Sequence, residues 1–137
     1  MLLRRIARPL LAAVSITNGV ETLINPKPKI DAATPLLTTL PTPGPVDPGL
    51  VVQAGAAVKI AAGTMLAVGW MPRIAATALA VELIPSTVAE HPFWAGGYPD
   101  DRRAHQQHFL KNLGLLGGLL LAMTSSEPAK KKRRKRR

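Results

Sequence analysis

Apolar residues are gathered into four long stretches of the chain, and polar residues lie mainly between and after these stretches. The stretches cover about residues 6–25, 50–70, 73–89 and 106–125. An α-helix rises 1.5 Å per residue, so about 20 residues cross the hydrocarbon core of a bilayer, which is about 30 Å thick. The pattern therefore predicts an all-α protein, an integral membrane four-helix bundle.

The last stretch has the clearest pattern of the four. It begins with polar residues and continues, after Lys111, as an uncharged run rich in Leu, Gly and Ala. Within this run, Gly114 and Gly118 are separated by one helical turn, and Gly117 adds a second small surface beside them. Small residues at this spacing let two helices approach closely in lipid. We therefore expect these three glycines to pack against another helix.

The first stretch has an alternative interpretation as a cleaved signal peptide, because Arg4, Arg5 and Arg8 precede an apolar segment. However, Asn18 and Glu21 interrupt this segment, and no small-x-small cleavage pattern follows it. These features favour a first membrane span. The three arginines should then hold the N-terminus in the cytoplasm, because basic residues are retained on that side.

Prolines recur throughout residues 26–49, between the first and second stretches. Proline lacks a backbone N–H donor and disfavours helix interiors, so we expect an extended or irregular loop here, on the outer side of the membrane. A loop packed over the mouth of the bundle is the simpler interpretation, and a peptide-binding segment is the alternative. Four spans return the chain to its starting side, and Arg73 in the next turn marks the cytoplasmic face. Both termini are therefore expected in the cytoplasm, in a multi-pass protein of the cell (plasma) membrane.

Four ionisable residues fall within the predicted spans: Glu21, Lys59, Glu82 and Lys111. An unpaired charge at mid-bilayer costs a few kcal/mol or more. Counted along the helices, Lys59 and Glu82 lie at one depth, whereas Glu21 and Lys111 lie together at another. We therefore predict the ion pairs Lys59–Glu82 and Glu21–Lys111. Two roles stay open for them, a structural one that sets helix register and a part in a proton or ligand pathway.

Three histidines, His91, His105 and His108, are predicted to gather at the outer surface. Imidazoles there can hold a metal or a haem iron, donate a hydrogen bond to a quinone headgroup, or bond to loop backbone. The carboxylates near them in the sequence lie in or beside loops, without a ligand-like spacing. We therefore assign no metal and no cofactor from the sequence, and quinone stays open.

Composition excludes several kinds of chemistry. The chain contains no cysteine, so disulfides, thiolate catalysis, iron–sulfur clusters and Cys-based zinc sites are excluded. Aromatic residues make up 4% of the chain, too few to provide the stacking platforms of a single-strand nucleic-acid-binding protein. No catalytic residue is identified, and the sequence favours a protein that is not itself an enzyme.

Residues 126–137 are predicted to form a disordered basic cytoplasmic tail after a membrane domain of residues 1–125. The tail holds eight of the eighteen basic residues, namely Lys130, Lys131, Lys132, Arg133, Arg134, Lys135, Arg136 and Arg137. Such runs also occur in nuclear-localisation and nucleic-acid-binding segments. Beside a membrane span, a basic run is better suited to anionic lipid headgroups, at about 1 kcal/mol per residue near the surface. We therefore expect a lipid bilayer, and no nucleic acid, as the partner of the tail.

Several segments carry a resemblance to a known family. They are Ala57-Val58-Lys59-Ile60-Ala61-Ala62-Gly63, Gly69 with Pro72-Arg73, His91-Pro92-Phe93-Trp94, and the run from His108 to Gly118. Near the N-terminus, Arg8-Pro9-Leu10-Leu11, Asn18-Gly19 and Asn25-Pro26 look like the first helix of actinobacterial members. On these residues the chain resembles the DoxX family of small four-helix membrane proteins, from about residue 5 to residue 123.

The resemblance implies a membrane protein connected with redox chemistry. The family is named from a subunit associated with thiosulfate oxidation linked to quinone, and mycobacterial relatives are described as membrane partners of superoxide dismutase and a sulfurtransferase. We therefore expect an integral membrane scaffold or accessory subunit of a redox or oxidative-stress-related complex, with protein partners. The alternatives are a quinone-linked oxidoreductase subunit of the thiosulfate:quinone type and a small transporter or proton-pathway protein. Many family members carry an acidic residue where Lys59 stands, so this chain departs from them there.

Overall fold

The computed structural model of the protein describes residues 2–90 and 102–124, with side chains from Ile6 onward. These residues form five α-helices and contain no strand. The helices are α1 (Leu2–Ile24), α2 (Lys27–Thr39), α3 (Pro48–Val68), α4 (Pro72–Glu90) and α5 (Arg102–Thr124). The all-helical prediction is therefore confirmed for this part of the chain.

The four long helices contact one another in sequence around a common core. The most extensive contact joins α1 to α3, and α4 lies between α3 and α5. A smaller contact joins α5 back to α1. The short helix α2 lies across α3 and α4 and has no buried residue of its own.

The two ends of α3 are defined by local capping interactions. Pro48 occupies the first turn, where a backbone N–H donor is not needed, and the Asp47 carboxylate accepts a hydrogen bond of 2.8 Å from Gly49 N. At the other end, Gly69 adopts the left-handed conformation, with φ of 78°. A left-handed residue directs the chain away from the helix axis, so α4 begins after a short turn and folds back against α3.

The expectation of an irregular loop over residues 26–49 is wrong for its first half, because Lys27–Thr39 is helical. Pro28 lies in the first turn of α2, where a proline removes no helical hydrogen bond. Pro35 lies inside the helix and removes one such bond, while the surrounding Ala and Leu residues favour helix. The helix ends at Thr39, because Leu40 is extended and precedes Pro41. Within this segment, Pro26 and residues 40–47 are non-helical.

The core is built mainly from alanine and leucine on the side of the molecule near the α3–α4 turn. The buried cluster consists of Ala12, Ala62, Leu66, Ala75, Ala76, Leu79, Ala80 and Leu119. Small side chains allow the helix backbones to approach closely, which is typical of helices that pack in lipid.

Among the described helices, α3 alone is both long enough and apolar enough to qualify as a membrane span by length and composition. The other long helices carry more charged residues. Arg73, Glu82 and Glu90 lie in α4, and Arg102, Arg103 and Lys111 lie in α5. Composition thus supports one of the four predicted spans.

Candidate functional site

An ion pair between α3 and α4 lies at the centre of the site. The Nζ atom of Lys59 is 3.1 Å from the Oε1 atom of Glu82, and the side chains are 9% and 16% exposed. This is the pairing that helical depth predicts from the sequence. Because α3 and α4 are joined by a short turn at Gly69, residues at similar distances from that turn lie beside each other.

Two glycines make room for this ion pair. A Cβ atom at Gly55 would lie 3.3 Å from Glu82 Oε1, so a larger residue there would press on the carboxylate. At Gly19 of α1, a Cβ atom would lie 2.9 Å from the Ala56 carbonyl oxygen and 3.0 Å from the Lys59 Cβ. The absence of a side chain at Gly19 therefore lets α1 approach α3 closely beside the lysine.

A mainly apolar cavity of about 150 Å³ opens beside the ion pair, between α2, α3 and α4. Apolar residues from all three helices line it, including Leu36, Leu37, Val52 and Pro85. Its charged groups are those of Lys59 and Glu82, together with a second ion pair, Lys29–Glu90, at 3.0 Å. We call this space the α2 cavity; it combines an apolar wall with charged groups.

A larger, polar cleft of about 680 Å³ lies between α1, α2, α4 and α5. We call it the polar cleft. Its charged and polar lining consists of Asn18, Glu21, Lys29, Asp31, Glu90, His105, His108, Lys111 and Asn112. Groups of both charge signs thus face one shared space, which suits polar rather than apolar occupants.

The predicted ion pair Glu21–Lys111 does not form. Both residues are exposed and line the polar cleft, whereas the lysine–glutamate pairs that form between described residues are Lys29–Glu90 and Lys59–Glu82. Equal depth was not sufficient, because Glu21 and Lys111 lie on α1 and α5, which have only a small contact. The cleft separates them instead.

The structure brings His105 and His108 together on the α5 wall of the polar cleft. His91 and the basic residues of the tail lie outside the described residues. Among the residues that are described, no group of three or more His, Asp or Glu side chains is arranged to hold a metal ion. The cleft side of α5 presents the imidazoles of His105 and His108 together with Lys111 and Asn112.

The three glycines predicted to pack against another helix behave differently from one another. A Cβ atom at Gly118 would lie 3.0 Å from Leu11 Cδ2 of α1, so this glycine does face a helix. No atom lies within 4 Å of the Cβ position at Gly114 or Gly117, so no described helix of the chain packs against these two, and their contact with another helix stays a prediction. The closest helix contacts instead occur at Gly19 and at Gly63, whose Cβ would lie 2.8 Å from Ile16 Cγ1.

Two polar contacts of the site were not predicted from the sequence. One is the Lys29–Glu90 ion pair, whose partners are 61 positions apart; helix α2, which carries Lys29, was expected to be a loop. The other is a 3.0 Å hydrogen bond from the Asn112 side-chain amide to the Thr87 hydroxyl, which links α5 to α4. Asn112 directly precedes the apolar run of α5. A polar residue beside that run is the only feature of the sequence that could have indicated this hydrogen bond.

The described helices carry apolar residues on their outer faces and surround a charged pair and a polar cleft, which is typical of membrane-associated helical proteins. The comparison with family models identifies the chain further, because the DoxX model matches residues 3–92. The chain therefore belongs to the DoxX family, whose members are membrane-associated. No curated protein and no solved structure matches the chain.

Proposed function

We propose that this DoxX-family protein is a membrane scaffold or accessory subunit of a redox-related complex, spanning the bilayer four times with both termini in the cytoplasm. The observation that carries the proposal is the number of large apolar side chains on the outer surface of all four long helices. They include Leu10 and Leu23 on α1, Leu50 and Val68 on α3, Ile74 and Val81 on α4, and Leu113 and Leu121 on α5, all at least 48% exposed. Exposed apolar surface of this extent is stabilised by lipid or by a protein partner.

Helix length supports the four spans. The long helices contain between 19 and 23 residues. At 1.5 Å per residue they are about 28–35 Å long, which matches a hydrocarbon core of about 30 Å. The charges that lower the hydropathy of α4 and α5 face the ion pair and the polar cleft, or lie near helix ends. Charged residues in membrane helices are tolerated in such inward-facing positions.

The positions of the basic residues support the proposed orientation of the protein in the membrane. Arg8 near the start of α1 and Arg73 at the start of α4 lie towards the same end of the helices, which the α3–α4 turn also occupies. The basic tail follows α5 at that end. Basic residues are retained in the cytoplasm, so this end is assigned to the cytoplasmic side.

Purification in a mild detergent at native expression tests the scaffold role. The full chain and a chain ending at Thr124 should be tagged and purified in parallel, so that partners held by the tail are separated from partners held by the helices. We expect soluble redox proteins in stoichiometric amounts with the full chain. Recovery of the chain with lipid alone, at native expression and low salt, would contradict the scaffold role.

A second function, a quinone-linked oxidoreductase subunit, is favoured by the α2 cavity. Its apolar lining and volume of about 150 Å³ suit a single ring, and the Lys59 ammonium is a donor for a quinone carbonyl. The matched variants are Ala33→Phe, which fills the α2 cavity, and Ala32→Phe, which lies on the polar cleft. We expect the first variant alone to lose binding of a short-chain quinone analogue, measured by titration of the detergent-purified protein. Equal binding by both variants would exclude the α2 cavity as the quinone site.

A further inference from the structure

The Lys59–Glu82 ion pair borders a third and much smaller space on the side away from the α2 cavity. This space has a volume of about 20 Å³ and includes Ser15, Asn18, Lys59 and Glu82 in its lining. About 10–15 Å³ measured in this way is enough to hold one water molecule, provided polar partners are present. Here two charged and two neutral polar side chains supply such partners. The small space is therefore large enough and polar enough for a water molecule beside Glu82.

Asn18 connects this small space to the polar cleft, because its side chain lines both. The α2 cavity provides a second connection, since Lys29 and Glu90 line both that cavity and the polar cleft. A single layer of side chains therefore separates the polar cleft from each of the two spaces that border the buried ion pair. The layer is Asn18 at the small space and the Lys29–Glu90 pair at the α2 cavity. Those side chains are polar or charged, and water can exchange hydrogen bonds with them.

The opposite side of the ion pair is closed by apolar packing. Towards the α3–α4 turn lie Ala62, Leu66, Ala76 and Leu79, which are at most 5% exposed. At Gly63, α1 is so close that a Cβ atom would lie 2.8 Å from Ile16 Cγ1. Close-packed apolar groups offer a water molecule no hydrogen-bond partner, so this layer resists wetting. Water can therefore approach the ion pair past polar side chains from the polar cleft, whereas apolar side chains block its approach from the α3–α4 turn.

We propose that the Lys59–Glu82 ion pair is a proton-binding site that exchanges protons with water in the polar cleft and not with the side of the α3–α4 turn. A proton passes from a hydronium ion in the cleft, by way of water beside Asn18, to a carboxylate oxygen of Glu82. The products are a neutral carboxylic acid and a water molecule, and Lys59 keeps its charge. The net charge of the pair rises from zero to plus one. The site thus takes up and releases a proton on the side of the polar cleft only. It does not conduct protons across the molecule.

The charged groups around Glu82 set the conditions for this exchange. Lys59 of α3 contacts the carboxylate directly, and the Lys29–Glu90 pair of α2 and α4 lies at the far end of the α2 cavity. The remaining groups line the polar cleft: Glu21 of α1, Asp31 of α2, and His105, His108 and Lys111 of α5. The cleft carboxylates attract cations, which favours delivery of a proton from that side.

Cysteine reactivity tests the one-sided access, and the absence of native cysteines makes each introduced thiol unique. The variants are Asn18→Cys between the cleft and the ion pair, Ala76→Cys in the apolar layer, and Ala32→Cys on the cleft wall as a reference. Each full-length protein in mild detergent is treated with a charged methanethiosulfonate reagent. We expect Asn18→Cys to react at least about tenfold faster than Ala76→Cys, because the reacting thiolate forms only where water reaches it. Equal rates for these two variants, with Ala32→Cys reactive, would overturn the proposal.

Infrared spectroscopy tests proton binding itself and does not depend on a partner protein or a quinone. On acidification, the protein should develop a protonated-carboxyl band that is missing in Glu82→Gln and retained in the control variant Asp47→Asn, whose carboxylate lies outside the polar cleft and caps α3. Glutamine keeps the size of the side chain and accepts a hydrogen bond from Lys59, so Glu82→Gln should remain folded. A band that Glu82→Gln leaves unchanged would overturn the proposal, even if the thiol reactivities follow the expected order.

Discussion

Lys59 and Glu82 form an ion pair that is better shielded than Lys29 and Glu90, whose side chains are 20% and 23% exposed. In the first pair the charges depend on each other, because the two side chains are largely shielded from bulk water. In the second pair water is close enough to replace a missing partner. This contrast between two lysine–glutamate pairs of one protein allows a matched comparison.

Removal of one partner should therefore have very different costs at the two positions. We expect Lys59→Ala to lower the free energy of unfolding by about 3–5 kcal/mol, since it leaves a buried carboxylate uncompensated. Lys29→Ala should lower it by less than about 1 kcal/mol. Unfolding of the detergent-solubilised protein by added denaturing detergent, followed by circular dichroism, measures both. Similar losses for the two variants would show that burial does not distinguish the pairs.

The hydrogen bond from Asn112 to Thr87 gives a second prediction for single residues. Thr87 is 8% exposed, so its hydroxyl has little access to solvent when Asn112 is removed. We expect Asn112→Ala to lower the free energy of unfolding by about 1–3 kcal/mol. The double variant Asn112→Ala/Thr87→Val should be less destabilised than the single one, because it leaves no unpaired group. A double variant with the summed loss of both singles would contradict a direct interaction.

At the scale of helices, α1 and α3 are held together by close backbone contact at glycines. A Cβ atom at Gly19 would lie 2.8 Å from Ile60 Cγ1 and 2.9 Å from the Ala56 carbonyl oxygen. Because a backbone oxygen cannot move without displacing its helix, α1 would have to shift away from α3. The exposed Gly114 of α5 meets nothing within 4 Å and provides the matched control.

We therefore expect Gly19→Ala to destabilise the protein by about 1–3 kcal/mol through overpacking. Gly114→Ala should be neutral or stabilising by up to about 1 kcal/mol, since alanine favours helix over glycine. The same detergent unfolding measurement applies to both variants. If Gly114→Ala were the more harmful change, the exposed glycine face of α5 would have to pack against a second molecule.

The helices themselves show what the sequence could and could not predict. The Lys59–Glu82 pair followed from counting residues because a short turn joins its two helices, so helical rise alone sets their register. Glu21 and Lys111 lie on helices without such a turn between them, and depth says nothing of lateral position. Likewise, the spacing of Gly114 and Gly117 does not reveal which helix, if any, lies opposite.

Helix α2 was missed for a different reason. Prolines are read as helix breakers, but their effect depends on position, and Pro28 falls in a first turn where it is tolerated. Because α2 was not predicted, the α2 cavity was not predicted either: this helix supplies Lys29 and covers the cavity. Helix existence and type were thus predictable for the long apolar segments, whereas the short helix that completes the site was not.

At the scale of the whole molecule, the arrangement is apolar outside and partly polar inside. The outer faces of the long helices carry exposed Leu, Ile and Val, while the ion pair and the polar cleft are directed inward. This distribution differs from the surface of a water-soluble helical protein, in which charged residues cover the outside. It is the arrangement expected when lipid surrounds the helices and water enters from one end.

The central claim, that four helices cross the bilayer, is tested most directly by locating both ends of the chain and the residues after α2. Single cysteines at Leu2, at Pro43 and after Arg137 should be labelled in intact and in permeabilised cells with a membrane-impermeant maleimide. If four helices cross the bilayer, the cysteine replacing Pro43 reacts in intact cells and both terminal cysteines react only after permeabilisation. Reaction of one terminus, but not the other, in intact cells would contradict an even number of spans.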